Sequence, residues 1–157
     1  MTEPDPRPPR DSEVTLNQLM LLGDANSHGN IHGGVIMKMV DEAGAICAMR
    51  HAKRPCVTVA IDSMRFHSPV HVGELLRCQA CVTWTGRTSI EVMVSVEAEQ
   101  ITTGRITHTN SAYLVYVALD EEGRPTPVPP VNVQSEPERT AWQRAEERRR
   151  QRLARAR

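Results

Sequence analysis

The sequence has no apolar stretch long enough to cross a membrane. Its longest apolar run, Val35 to Met49, is broken by Lys38, Asp41 and Glu42 and falls short of the ~18 uninterrupted apolar residues that a span needs. It has no net charge either, with 19 Lys and Arg against 19 Asp and Glu, which argues against a dedicated nucleic-acid binder. The opening MTEPDPRPPR is charged and Pro-rich and lacks the apolar centre of a secretory leader, so a cytoplasmic protein is expected. In that compartment Cys47, Cys56, Cys78 and Cys81 do not read as a disulfide framework. Cys78 and Cys81 have CxxC spacing, but they fall in a run that reads as a strand. Residues three apart on a strand face opposite ways, so no metal site is expected, and no other cofactor. There is no internal repeat and no GxSxG nucleophile motif.

What remains is one domain. The length of 157 residues, 39% apolar and 24% charged, suits a single globular core. Proline marks its limits. Four of the 11 prolines lie in the first ten residues, four more between Pro125 and Pro130, and another at Pro137. This predicts a disordered leader over 1–12, a packed domain over 13–123, an extended Pro-rich linker over 124–137 and an Arg-rich helical tail over 138–157. The charge is split accordingly. Residues 139–157 carry eight Arg and two Glu, and the rest of the chain has 11 basic and 17 acidic side chains. The tail composition favours helix, and a solvated, partly ordered helix is expected. All the candidate chemistry lies before Pro125, so the tail reads as an accessory.

Within the domain the pattern predicts a short strand over 15–22, a polar loop GDANSHGNIH, a helix over 33–51, and strands over 57–66, 74–85, 88–100 and 105–119. The strands rest on alternation. Leu76, Cys78, Ala80, Val82 and Trp84 face one way, against Arg77, Gln79, Cys81 and Thr83. Ile90, Val92, Val94, Val96 and Ala98 alternate with Ser89, Glu91, Met93, Ser95 and Glu97. The helix is apolar nearly all round. Ile36, Met39, Val40, Ala43, Ile46 and Cys47 form a broad face, with Gly34, Met37, Lys38, Asp41, Ala45 and Ala48 opposite. A helix this apolar in so small a domain has to be wrapped by its own sheet. The expected fold is α+β: a curved antiparallel sheet around one long central helix, the hotdog fold.

Two features suggest chemistry. Asp41 sits on the minor helix face among Met37, Lys38, Ala45 and Ala48. It is either a semi-buried carboxylate that needs partners or a surface residue paired with Lys38. Gly33-Gly34 opens the helix with free N–H groups, no Cβ and the positive end of the dipole. That is either an anion or oxyanion site or only a tight turn. Asn26 upstream and Asp41 downstream strengthen the first reading, because donor, oxyanion hole and base then occur together.

The run DANSHGNIHGGVIMKMVDEAGAI resembles the signature of the hotdog-fold acyl-CoA thioesterases, closest to the brain-type acyl-CoA hydrolase group. The resemblance continues through VTVAIDSMRFHSPVHVGELL, TWTGRTSIEV and ITTGRITHTNSAYLVYVALDEEGRP, about residues 14–131. It implies hydrolysis of fatty acyl-CoA to free acid and coenzyme A. It also implies that Asn26 and Asp41 act together from two units across an interface. The chain is therefore expected to be a homodimer at least, and a trimer of dimers as the fuller assembly. Asp41 would be general base or nucleophile, Gly34 with Gly33 would hold the carbonyl oxygen, and Asn26 would orient water or carbonyl. Glu42, about 100° round the helix, should face elsewhere. His32 would contact substrate or cap the loop. Arg87, Thr88 and Ser89 at a hairpin tip, and the polar Thr107–Asn110 segment, offer contacts for coenzyme A. The alternatives are a non-catalytic acyl-CoA sensor, with the basic tail as its partner-binding element, and a hotdog hydratase or dehydratase using His28 or His32.

Overall fold

The computed structural model describes residues 2–62 and 64–157. Five strands form one antiparallel sheet: β1 (Val14–Leu19), β2 (Cys56–Asp62), β3 (Leu75–Thr85), β4 (Ser89–Gln100) and β5 (Arg105–Ala118). Their order is β1-β3-β4-β5-β2, so β1 and β2 are the edges. The long helix α1 (Gly33–Ala52) lies across the inner face, and a second helix, α2 (Glu136–Arg155), closes the chain. This is the hotdog arrangement that the helix pattern predicts.

The core forms where α1 meets the sheet. Ile36, Met39, Val40, Ala43 and Cys47 are buried against Leu76, Cys78, Ala80 and Val82 of β3, Val92, Val94 and Val96 of β4, and Leu114 and Tyr116 of β5. Burying one such aliphatic side chain is worth about 1.5–3 kcal/mol, so this layer dominates the stability. The helix ends at Lys53, which adopts a left-handed conformation (φ 56°) and donates its N–H to Met49 O at 2.8 Å. Two helix positions differ from expectation. Ile46 is only half-buried, whereas Ala48, on the expected minor face, is fully buried.

Two strand limits and one orientation also differ. β1 stops at Leu19, and Leu22–Asp24 forms a 3-10 turn. The ladder of β2 ends at Asp62 opposite Tyr113. The chain then leaves the edge, and the Phe66 ring comes against Gly33 at the start of α1. Between Val82 and Trp84 the register with β4 shifts, so that Thr83 and Trp84 both stand against Glu91. This bulge turns Trp84 from the expected inner face to the outer one, where its indole N–H donates to Glu146 of α2.

The proline-rich ends are ordered rather than loose. Residues Pro9–Ser12 form a 3-10 turn with Ser12 buried. Arg7 and the 130–132 segment exchange main-chain bonds, Arg7 N to Pro130 O at 2.9 Å and Asn132 N to Arg7 O at 2.8 Å. The 124–137 segment is extended but packed: Val128 and Pro129 are buried, and Pro129 O pairs with His51 Nε2 at 2.8 Å. Proline forfeits only its donor; its carbonyl still accepts. Composition alone therefore overstates the looseness of such a segment.

The tail departs furthest from expectation. Helix α2, capped by Ser135, is docked on the outer face of the sheet instead of lying solvated. Glu91, almost wholly buried on that face, accepts Thr83 Oγ1 at 2.6 Å. It also accepts two bonds from Arg148, at 2.7 and 3.1 Å. The Arg148 guanidinium lies 3.6 Å from the Tyr113 ring centroid, and Arg152 meets Asp62 at 2.9 Å. A carboxylate buried without its cation is costly, by about 3–5 kcal/mol where one partner is removed. Arg148→Ala should therefore lower the unfolding free energy by about 3 kcal/mol. Arg150→Ala, whose pair with Glu147 is exposed, should change it by less than about 0.5 kcal/mol. Denaturant titration at fixed protein concentration checks both. Deleting α2 would expose Glu91, Trp84 and Tyr113, so the truncated chain should be much less stable instead of behaving as an untouched body.

Candidate active site

The start of α1 is open. His32, just before it, has extended backbone and provides no side-chain cap. The first helical bonds run from Val35 N and Ile36 N to His32 O. The N–H groups of Gly33 and Gly34 thus have no partner among the described residues, as expected at a helix start. A Cβ at Gly34 would meet nothing within 4 Å, while one at Gly33 would touch the Phe66 ring at 3.5 Å. The His32 imidazole is exposed, and its backbone N–H is tied to Asp24 O at 2.9 Å. It therefore holds the loop through its main chain.

Asn26 closes the preceding loop. Its Oδ1 accepts His28 N at 2.9 Å and Asn30 N at 3.2 Å, and its own N–H donates to Asn30 O at 2.7 Å. Gly29, at φ +82°, supplies the left-handed residue that this turn requires. The carbonyl oxygen of the side chain is consumed by the loop. The amide NH2 makes no hydrogen bond among the described residues and is left as a donor.

Asp41 is half-buried, two turns into α1. Its Oδ1 accepts Thr58 Oγ1 of β2 at 2.8 Å and the Tyr116 hydroxyl of β5 at 3.1 Å. Lys38 pairs with Glu42 at 3.8 Å. Of the two readings open to the sequence, the structure shows the semi-buried carboxylate with its own donors. Glu42 is exposed and points away. Burial first, and then the Asp41 carboxylate, push the Tyr116 hydroxyl far above its ordinary range, so it remains a donor at any working pH. A Cβ on Gly44 would collide with that hydroxyl.

Neither Thr58 nor Tyr116 was evident from the sequence. Thr58 faces Asp41 because it stands opposite Tyr116 in the β2–β5 ladder, a pairing distant in sequence that alternation within one strand cannot locate. Tyr116 meets Asp41 across a separation of 75 residues, which no local pattern reports.

Asp41 and the Gly33-Gly34 start are not adjacent in one chain. Seven residues at 1.5 Å each separate Asp41 from Gly34 by about 10 Å along the axis. The Arg87-Thr88-Ser89 turn lies further off. Its carbonyls accept Val128 N and Ala118 N, and Ala118 pairs with Cys56, just past the end of α1. The loop before α1 sits at the other end of the sheet, where Ile31 N donates to Val70 O at 2.8 Å. The edge strand β2 that carries Thr58 is unpaired on its outer side and largely apolar. Val57, Val59 and Ile61 of edge strand β2 are 43%, 56% and 41% exposed, and Met37 of α1 is 41% exposed. Cys78 is buried on the inner face and Cys81 lies on the outer one. Burial pushes both thiols up to about 12, which leaves them inert as nucleophiles.

Comparison with known proteins identifies the family. The model of the Thioesterase superfamily matches residues 28–105. The uncharacterized acyl-CoA thioester hydrolase YkhA of Bacillus subtilis is 36% identical over 152 residues, covering 94% of this chain and 88% of that one. Among solved structures, an apo-hexameric acyl-CoA thioesterase superposes with a TM-score of 0.93 at 40% identity, covering 97% of both chains. The acyl-CoA hydrolase of Staphylococcus aureus, solved with butyryl coenzyme A, coenzyme A and coenzyme A disulfide, gives a TM-score of 0.89 at 33% identity over 96% of this chain and 92% of that one. That enzyme has also been solved with alanine in place of an aspartate, an asparagine and a threonine. With this identity running nearly end to end, the chain belongs to the acyl-CoA thioester hydrolases of the Thioesterase superfamily.

Proposed function

We propose that the chain hydrolyses acyl-CoA to a free acid and coenzyme A at sites shared between two copies, with Asp41 as the reacting carboxylate. The observation that carries this reading is the state of Asp41. Its Oδ1 is held by two donors, no donor among the described residues reaches Oδ2, and the carboxylate borders an exposed apolar strand edge. The spacing along the Staphylococcus aureus chain supports it. The asparagine, aspartate and threonine replaced there are separated by the same intervals as Asn26, Asp41 and Thr58.

The chemistry follows from the parts. The N–H of Gly34, with that of Gly33, holds the thioester oxygen as it gains negative charge, at a helix start whose dipole favours that charge. Asp41 Oδ2 takes a proton from water, whose oxygen attacks the carbonyl carbon. Collapse breaks the C–S bond, and the coenzyme A thiolate leaves with that proton. The competing route has Oδ2 attack first, giving a mixed anhydride that water then opens. The NH2 of Asn26 orients the water or the carbonyl.

Because Gly34 and Asp41 of one chain stand about 10 Å apart along the helix axis, one thioester group cannot touch both. A second copy across the β2 edge supplies the missing half. It also covers Val57, Val59, Ile61 and Met37, making a dimer with a continuous sheet; three dimers would match the hexameric relative. The Arg87–Ser89 turn would then serve coenzyme A bound mainly by the neighbouring copy. His32, exposed beside Gly33, would border the substrate path.

Asp41→Asn keeps the shape and removes the base, so kcat should fall by about 10²-fold or more, with folding and acyl-CoA binding retained. Glu42→Gln should leave kcat within about twofold of the wild type. Free-thiol release from one acyl-CoA measures both, and the reverse order of effects would remove Asp41 from the mechanism. Light scattering at micromolar concentration should show a dimer or larger; a monomer would sink the shared site.

A further inference from the structure

We propose that Tyr116, seated over Gly44, is a positioning residue that fixes the Asp41 carboxylate so that Oδ2 is the reacting oxygen. The proposal rests on the reading of Asp41 as the reacting group. The Tyr116 ring is locked in the core, with the residue fully buried. Its hydroxyl stands 3.1 Å from both Asp41 Oδ1 and the Asp41 main-chain oxygen. It has one proton for two acceptors. A helix-interior carbonyl is already engaged with the N–H four residues on, and a carboxylate is the stronger acceptor, so the proton goes chiefly to Oδ1. Thr58 reaches the same oxygen from the edge strand. Donors from β5 and β2 together fix the carboxylate plane, and Oδ2 is turned free. Lys38 and Glu42, the other charged groups on that stretch of α1, pair with each other and do not reach Oδ1.

Gly44 supplies an independent observation. A glycine in a helix interior is unfavourable relative to alanine, and this one is buried among core residues. Its missing side chain makes room for one thing, the Tyr116 hydroxyl, with the ring edge beside it. If the tyrosine only filled space, phenylalanine beside alanine would need the ring to give only slightly, at 3.1–3.2 Å, and would keep the helix stronger. The glycine is explained by a hydroxyl that has to reach Asp41.

The test uses the full-length protein as three variants: Tyr116→Phe, Gly44→Ala and Asp41→Asn. Positioning predicts that Tyr116→Phe lowers kcat by about 10-fold to 10²-fold, the scale of a misplaced reacting group. KM should stay within about twofold, and the oligomer should be intact by light scattering. Gly44→Ala displaces the same hydroxyl without removing it and should lower kcat in the same direction. In the Tyr116→Phe background it should cost much less. If Tyr116→Phe keeps kcat within about twofold while Asp41→Asn is inactive, this proposal fails and the assignment of Asp41 stands. If Asp41→Asn is itself active, the reading beneath it fails. A Tyr116→Phe protein that does not assemble, or whose KM rises as kcat falls, would make Tyr116 a packing residue and overturn the proposal.

Discussion

The structure depends on one constraint: α1 is apolar round most of its circumference and has to be covered there. Its own sheet covers one broad face and more, burying Ile36, Met39, Val40, Ala43, Cys47 and Ala48. The remaining stripe carries Met37, Lys38 and Asp41 and runs beside the free edge of β2. That stripe stays open in a single chain, and the unpaired strand edge beside it is able to pair with a second copy of itself. The position of the chemistry follows. A carboxylate on the exposed stripe of a buried helix is half-dry, which strengthens its interactions, and it lies where two copies would meet. In the proposed reading, the second copy that covers the open stripe of the helix also completes the site.

The outer face shows a second use of burial. Glu91 sits near the start of β4 where alternation places a wet residue, and in five strands alone it would be one. Helix α2 covers it and delivers Arg148 to both carboxylate oxygens, with Tyr113 stacked beneath the guanidinium. The acidic body and the basic tail are complementary through named pairs, Arg148 with Glu91 and Arg152 with Asp62. The second of these ties the tail to the end of β2, just before the chain crosses to set Phe66 against Gly33. The tail thus braces the strand that carries Thr58.

Much of this was legible in the sequence for a physical reason. Periodicity records which side of an element is dry, so one long helix, five strands and their order along the chain could be read directly. The resemblance around DANSHGNIHGGVIMKMVDEAGAI then pointed to Asn26, Gly33-Gly34 and Asp41. What escaped was set by irregularities and by contacts distant in sequence. A one-residue bulge moved Trp84 to the other face, and a cross-strand pairing with Tyr116 brought Thr58 to Asp41. Tyr116 lies 75 residues from the carboxylate that it meets. The proline-rich ends looked unfoldable because their residues donate few hydrogen bonds, yet Pro129 and Pro130 act as acceptors. The Arg-rich tail looked solvated because its partners, Glu91 and Asp62, are spread over two strands.

The central claim, a site built from Asn26 of one copy and Asp41 of another, is tested most directly by mixing two inactive proteins. Asp41→Asn and Asn26→Ala chains, each inactive alone, would be co-refolded in equal amounts and assayed for release of free coenzyme A. In a mixed dimer one site carries both substitutions and the other carries neither. Random pairing should therefore restore about a quarter of the wild-type activity, since half of the dimers are mixed and each has one intact site. A site contained in a single chain would give no recovery in mixed oligomers shown to form, and that result would contradict the account.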